Sequence, residues 1–141
     1  MSLTRNQQHY IIMTVIYNEL TDFNFAKNEV SRNALELASE LCECEVDKLP
    51  DFIKDSINVS LLHYGEIVNK VSTFLVDWKW DRLPLLTQAI IIMSYTHFYY
   101  IEKVDKVIVI DVAVELAKKY IEEKQAKFIN ALLEKVLQWL M

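Results

Sequence analysis

The chain has 141 residues, 52% of them hydrophobic, with one glycine, two prolines and a formal net charge of −5 at neutral pH. That length fits one domain with a continuous core, and the scarcity of glycine and proline removes the turns a β-sandwich or barrel requires. Gly65 alone cannot build a phosphate-cradling loop, which excludes a nucleotide-binding α/β fold, and the acidic balance lacks the footprint of an autonomous nucleic-acid binder.

Charge is unevenly placed. Residues 1–60 carry five cations against ten anions, whereas residues 61–141 carry ten of each, so the excess negative charge lies in the first part. Thr4 followed by Gln7 forms a capping box opening a first helix that reaches about Leu20, with Tyr10, Met13, Tyr17 and Leu20 along one side. Asp22 to Asn24 break it. A second helix is expected from about Asn28 to Cys44, striped by Val30, Ala34, Leu37, Ala38 and Leu41. On such a helix Cys42 and Cys44 point about 200° apart, so two reduced, unbridged thiols are expected, with no further metal ligand nearby.

Pro50 suits the first turn of a third helix running from Asp51 to Val76, with Phe52, Ile53, Ile57, Leu61, Tyr64, Ile67, Val68, Val71 and Leu75 inward. Residues 77–82 read as a connector. From Leu83 to Ile101 no residue is charged over 19 positions, close to a membrane-spanning length, but Pro84, Thr87, Gln88, Ser94, Thr96 and His97 dilute it. The preferred reading is a buried central helix started by Pro84 and ending near Tyr100 to Lys103.

Residues 107–114 are rich in β-branched side chains and favour a strand locally. They have no partner strand, and helix formers follow without a breaker, so a helix from about Val107 to Ile121 is expected. A last helix from about Lys124 places Phe128, Ile129, Leu132, Leu133, Val136, Leu137 and Leu140 in register. No basic-then-apolar opening marks a secretory signal, so a cytoplasmic protein is expected. His9, His63 and His97 fall on separate helices with no nucleophile, carboxylate pair or metal spacing beside them, and the chain reads as a non-enzyme without metal or cofactor.

An ordered series of segments resembles the NusB family of transcription antitermination factors. Asp77-Trp78-Lys79-Trp80-Asp81-Arg82-Leu83 is similar to the family's W-k-l-d-R-l segment, and Gln88-Ala89-Ile90-Ile91 with Ser94-Tyr95 follows at the spacing of its central helix. Asp111 to Lys118 resembles N-E-a-v-e-L-A-K, and Lys127 to Glu134 resembles K-F-v-N-g-v-L-d. Together these span roughly residues 74–136. The resemblance implies an all-α fold of two small helical bundles packed at an angle, with about six to seven helices. It makes 1–141 one domain, with an N-terminal sub-bundle of about 1–76 and a C-terminal one of about 77–141.

The resemblance also implies binding to boxA-type RNA of nascent ribosomal transcripts together with NusE, the ribosomal protein that doubles as an antitermination factor, within the RNA polymerase antitermination complex. RNA contacts would fall on Arg5, Asn6, Gln7 and His9, with His9 assisting when protonated, and on Lys127 beside Phe128. Partner contacts would fall on Trp80, Asp81, Arg82, Thr87 and Lys124. For the first group the competing reading is a capped, solvated helix start; for Phe128 it is a place in the core.

Several positions depart from the family pattern. Arg5 is the only permanent cation where the family carries an arginine-rich helix start. Thr87, Gln88 and Ile92 replace charged positions of the central helix, Ile121 stands where a glycine is usual, and Asn130-Ala131 replaces N-G. These departures motivate the alternative of a protein-interaction module that has lost RNA binding and acts through protein contacts, for example as a homodimer.

Overall fold

The computed structural model describes residues 3–22 and 30–138, with side chains in the second stretch described from residue 34. Among these residues seven α-helices and no strand occur: α1 Arg5–Asp22, α2 Val30–Cys42, α3 Asp51–Leu62, α4 Tyr64–Ser72, α5 Leu85–Thr96, α6 Lys106–Tyr120 and α7 Glu123–Val136. Short 3₁₀ turns lie at Val46–Lys48 and Trp80–Arg82, and a π turn at His97–Ile101 prolongs α5.

The architecture follows from α5. Every residue from Ala89 to Met93 is buried, so this helix has no side to offer water and must be covered all round. α1 crosses it and also packs on α2 and α3, while α6 pairs with α7 and both touch α5. No described helix is long and apolar enough to cross a membrane. The uncharged run is a core helix, as its polar residues suggested.

Four of those polar residues, Thr87, Gln88, Ser94 and Thr96, are hydrogen-bonded, as buried polar groups in most proteins are. Gln88 Nε2 donates to the carbonyls of Trp80 (3.1 Å) and Leu83 (3.0 Å), clasping the 3₁₀ turn before α5. Thr87 Oγ1 donates to Gln125 Oε1 on α7 at 2.8 Å, and Ser60 Oγ on α3 donates to Thr96 Oγ1 at 3.0 Å. Each bond fixes α5 against a different neighbour.

The capping box forms as expected. Thr4 Oγ1 accepts from the Gln7 amide at 3.1 Å, and the Thr4 amide donates to Gln7 Oε1 at 2.8 Å. The side of α1 expected to carry Tyr10, Met13, Tyr17 and Leu20 is not its buried face, because Tyr10 and Tyr17 are exposed while Ile12, Ile16, His9 and Glu19 are buried. The β-branched run does become a helix. Asp105 caps it by accepting from the Val107 amide at 3.0 Å, and Lys106 ties its start to Glu134 of α7 at 3.1 Å. α6 then ends at Ile121 with φ −122°, a conformation that needs no glycine.

The expected third helix is two helices. At His63 the backbone leaves helical geometry (φ −102°, ψ 15°), ending α3 and starting α4, and its ring stacks on Tyr100 at 4.5 Å with planes 9° apart. Within the second helix, the described end falls at Cys42 rather than Cys44. The Cys44 amide bonds to the Ser39 carbonyl at 3.1 Å and the Glu43 amide to that of Glu40 at 3.2 Å, the paired bonds of a Schellman cap. The turn takes Cys44 off the helix and beside Cys42, whose thiol is pushed up by burial and by the neighbouring Cys44, so the helical-wheel separation does not apply. Both cysteines are free thiols. The breaker at residues 23–24, the expected start at residue 28 and Leu140 lie outside the described residues.

This cap leaves Glu43 at φ 55°, a left-handed conformation that L side chains resist and glycine adopts freely. Meanwhile the sole glycine, Gly65, sits in the first turn of α4 with a negative φ, and a Cβ there would meet nothing within 4 Å. Glu43→Gly is expected to raise stability by about 1 kcal/mol, and Gly65→Ala by about 0.5 kcal/mol. Urea melts in which Glu43→Gly is neutral or destabilising would contradict the strained cap.

Candidate nucleic-acid interface

The start of α1 does not stand free in solvent. Arg5 Nη1 lies 3.2 Å from Glu102 Oε1, and its guanidinium rests 3.8 Å above the centre of the Phe52 ring. The one permanent cation of the helix start is thus paired with a carboxylate 97 residues away. Glu102 is brought there by the π turn, whose closing bond runs from the Glu102 amide to the His97 carbonyl (3.4 Å). At 3.6 residues per turn the two would sit about 140° apart; here both side chains face α1.

Under Arg5 three rings form a closed triangle. His9 and His97 have ring centres 5.5 Å apart, and each lies 5.2 Å from that of Phe52 at a steep angle. The expectation that His9 assists as an exposed imidazolium is therefore corrected. Its residue is only 3% exposed, and burial first, then the charges of His97 and Arg5, lower its pKa to about 4. Burial likewise lowers His97, against the pull of Glu102, whose carboxylate is 3.7 Å away. That is within ion-pair range but too long for a hydrogen bond, and neither His97 Nε2 nor His9 Nδ1 has a hydrogen-bond partner among the described residues. Glu102 is held below its ordinary value: burial opposes this, but Arg5 and His97 outweigh it. Of the three histidines expected on separate helices, His9 and His97 thus meet in space, a proximity that spacing along the chain could not reveal.

Asn6 and Gln7 are exposed and line a groove of about 980 Å³ between α1 and α6, which Lys118, Lys119 and Tyr120 of α6 also line. Tyr10 and Tyr120 meet at this groove with ring centres 5.3 Å apart, each about 40% exposed. Sequence reasoning missed this feature because Tyr10 was read only as one of the residues along one side of the first helix, with no partner from α6. A large aromatic flanked by polar Asn6, Gln7 and Thr14 was the available signal.

The remaining candidates separate into exposed and buried. Lys127 and Lys124 are exposed on the first turns of α7, whereas Phe128 is partly buried against the core and neither it nor Lys127 lines the groove. Of the expected partner residues, Asp81 and Arg82 are exposed. Trp80 and Thr87 are corrected: Trp80 is 6% exposed, Thr87 is fully enclosed with its hydroxyl bonded to Gln125, and their side chains serve the core.

Known proteins place this geometry in context. The sequence profile of the NusB family matches residues 5–138, and the chain belongs to that family. It is similar to the transcription antitermination protein NusB of Finegoldia magna, with 28% identity over 138 residues covering 96% of this chain and 95% of the relative. The fold is similar to that of T. maritima NusB, with a TM-score of 0.81 and 16% identity over 97% of this chain and 92% of the other. It is also similar to a chain in a crystal structure of antitermination factors NusB and NusE in complex with dsRNA, with a TM-score of 0.75 and 21% identity over 94% and 95% of the two chains.

The buried titratable groups of α1 predict an unusual pH response. Unfolded His9 takes up its proton near pH 6.5 but folded His9 only near 4, so its contribution to stability is whole above 6.5 and is lost as pH falls toward 4. Glu19 works in the opposite sense. Burial, then Asp22, raise it from 4.5 to about 7, so its contribution is whole below 4.5 and is lost as pH rises toward 7. Each is worth at most about 3 kcal/mol, and between pH 4.5 and 6.5 they oppose each other. Glu19→Gln should lose more stability than the wild type on going from pH 7 to 4.5, measured by urea midpoints; equal slopes would refute the account.

Proposed function

We propose that this chain is a non-enzymatic transcription antitermination factor of the cytoplasm that binds boxA-type RNA of nascent ribosomal transcripts together with NusE. In this reading it joins the RNA polymerase antitermination complex through that heterodimer. The observation that carries the reading is the groove at the start of α1, which gathers Asn6 and Gln7 with Lys118 and Lys119 of α6 on one surface. Amide side chains and lysines make polar contacts to phosphates and unpaired bases, and RNA recognition is directed chiefly at such bases. NusE contact is assigned to exposed Asp81, Arg82 and Lys124. Support also comes from the structurally similar NusB chain that has been crystallised with NusE in complex with dsRNA.

A second reading, a protein-interaction module without RNA affinity, forming a homodimer, is favoured by one observation: Arg5 is already neutralised by Glu102. The two readings diverge on one substitution. If phosphate and Glu102 compete for Arg5, Glu102→Gln frees the guanidinium and tightens RNA binding several-fold, with the slope of log affinity against log salt steeper by about 1. Anisotropy titrations of labelled boxA RNA with and without NusE measure both. RNA binding strengthened by NusE supports the first reading; no RNA binding by either protein form, with NusE present, supports the second.

A further inference from the structure

We infer that the groove between α1 and α6 is a nucleobase subsite, in which one unpaired base of the bound RNA stacks on the Tyr10–Tyr120 pair while its flanking phosphates lie at Lys118 and Lys119. This rests on the RNA-binding reading above and specifies which part of the RNA this surface takes.

Three observations converge on that occupant. The first is the aromatic pair itself. Two tyrosines from helices far apart in sequence meet at the groove, each keeping about 40% of its surface exposed, with ring planes tilted by 41°. Every base presents a π face to such a platform, so stacking needs no particular sequence. The rings already touch, so a base lies on an outer face of the pair rather than between them. Lys119 Nζ stands 5.5 Å from the Tyr120 ring centre, adding a cation beside the same platform.

The second is the charge along α6. Asp111 and Glu115 line one end of the groove and Lys118 and Lys119 the other, about 12 Å apart from first to last at 1.5 Å per residue. The acids repel a sugar-phosphate backbone from their end, and the lysines hold it at theirs. The base that stacks beside the lysines on Tyr120 is uncharged and can lie over the apolar lining of the groove, which includes Leu41, Val112 and Leu116. Lys118 is only weakly committed elsewhere, 4.0 Å from Glu123 with both groups largely exposed.

The third is continuity with the candidate interface. Asn6 lines the groove and keeps both its amide donor and acceptor uncommitted among the described residues, whereas the Gln7 carbonyl is taken by the Thr4 amide. Asn6 is therefore the group able to read a base edge with two hydrogen bonds. A volume of about 980 Å³ accommodates a nucleotide with room for its neighbours.

The test pairs protein variants with RNA variants. Single-stranded boxA oligoribonucleotides carrying one abasic site at each position in turn are titrated, with NusE present, into wild type, Tyr10→Ala, Tyr120→Ala, Tyr120→Phe and the Lys118→Gln, Lys119→Gln double variant. For wild type, one abasic position is expected to cost about tenfold or more in affinity. In Tyr120→Ala the intact RNA loses a similar factor, the same abasic site costs nothing further, and the salt slope is unchanged. Tyr120→Phe recovers most of the loss. The lysine double variant lowers the salt slope by about 2.

Far-ultraviolet circular dichroism and thermal midpoints separate these effects from unfolding, and both tyrosines are exposed enough for truncation to leave the core filled. The subsite is overturned if wild type binds RNA yet the abasic penalty is the same in wild type and both alanine variants. It is equally overturned if the tyrosine variants lose NusE while binding RNA normally, which makes the occupant a peptide. If wild type binds no RNA with NusE present, the subsite and the RNA-binding reading fall together.

Discussion

One constraint organises the molecule: α5 has no face that tolerates water. Ile90, Ile91 and Ile92 are consecutive and all buried, so they point in three directions about 100° apart and demand neighbours in each. α1, α3, α6 and α7 supply them. Dispersion and burial alone would allow these neighbours to slide along so uniform a rod. The embedded polar groups remove that freedom, because Thr87, Gln88 and Thr96 each lose a hydrogen bond if α7, the connector or α3 shifts. Apolar residues hold the helices together and a few buried hydrogen bonds fix their register.

Much of this was legible because helix periodicity, caps and the absence of breakers are local. The run of Val and Ile at 107–114 reads correctly once its lack of a partner strand and its helix-forming sequel are weighed, and Asp105 supplies the cap. The same periodicity carried the reading too far at His63. Ile57, Leu61, Tyr64, Ile67 and Val68 keep helical spacing across it, so nothing in the pattern marks the break, which accompanies the stacking of His63 on Tyr100. The π turn was equally hidden, since one widened turn changes no residue type.

The interface was the least legible part, for a physical reason. Its state depends on pairings between distant positions: Arg5 with Glu102, His9 with His97 and Phe52, Tyr10 with Tyr120. His9 was assigned to solvent because it lies one turn from Arg5, but residues four apart on a helix share only roughly the same side, and the boundary between wet and dry falls between them. Trp80 similarly carries the family-like motif while serving the core. A motif can mark membership without marking contact. The net effect is a surface that relies less on permanent charge than an arginine-rich helix start would, with amides, aromatic rings and lysines of α6 in its place.

The strained helix end at Glu43 bears on that surface. Leu41, two residues earlier, lines the groove, so that part of its lining is anchored to a turn held in an uncomfortable backbone state. Helix ends open locally at a cost far below that of global unfolding, and strain lowers the cost further. Tyr120 ends α6, a helix braced by its long contact with α7. The groove is thus bordered by one helix end under backbone strain and by one helix braced along its length, so local opening costs less on the α2 side than on the α6 side.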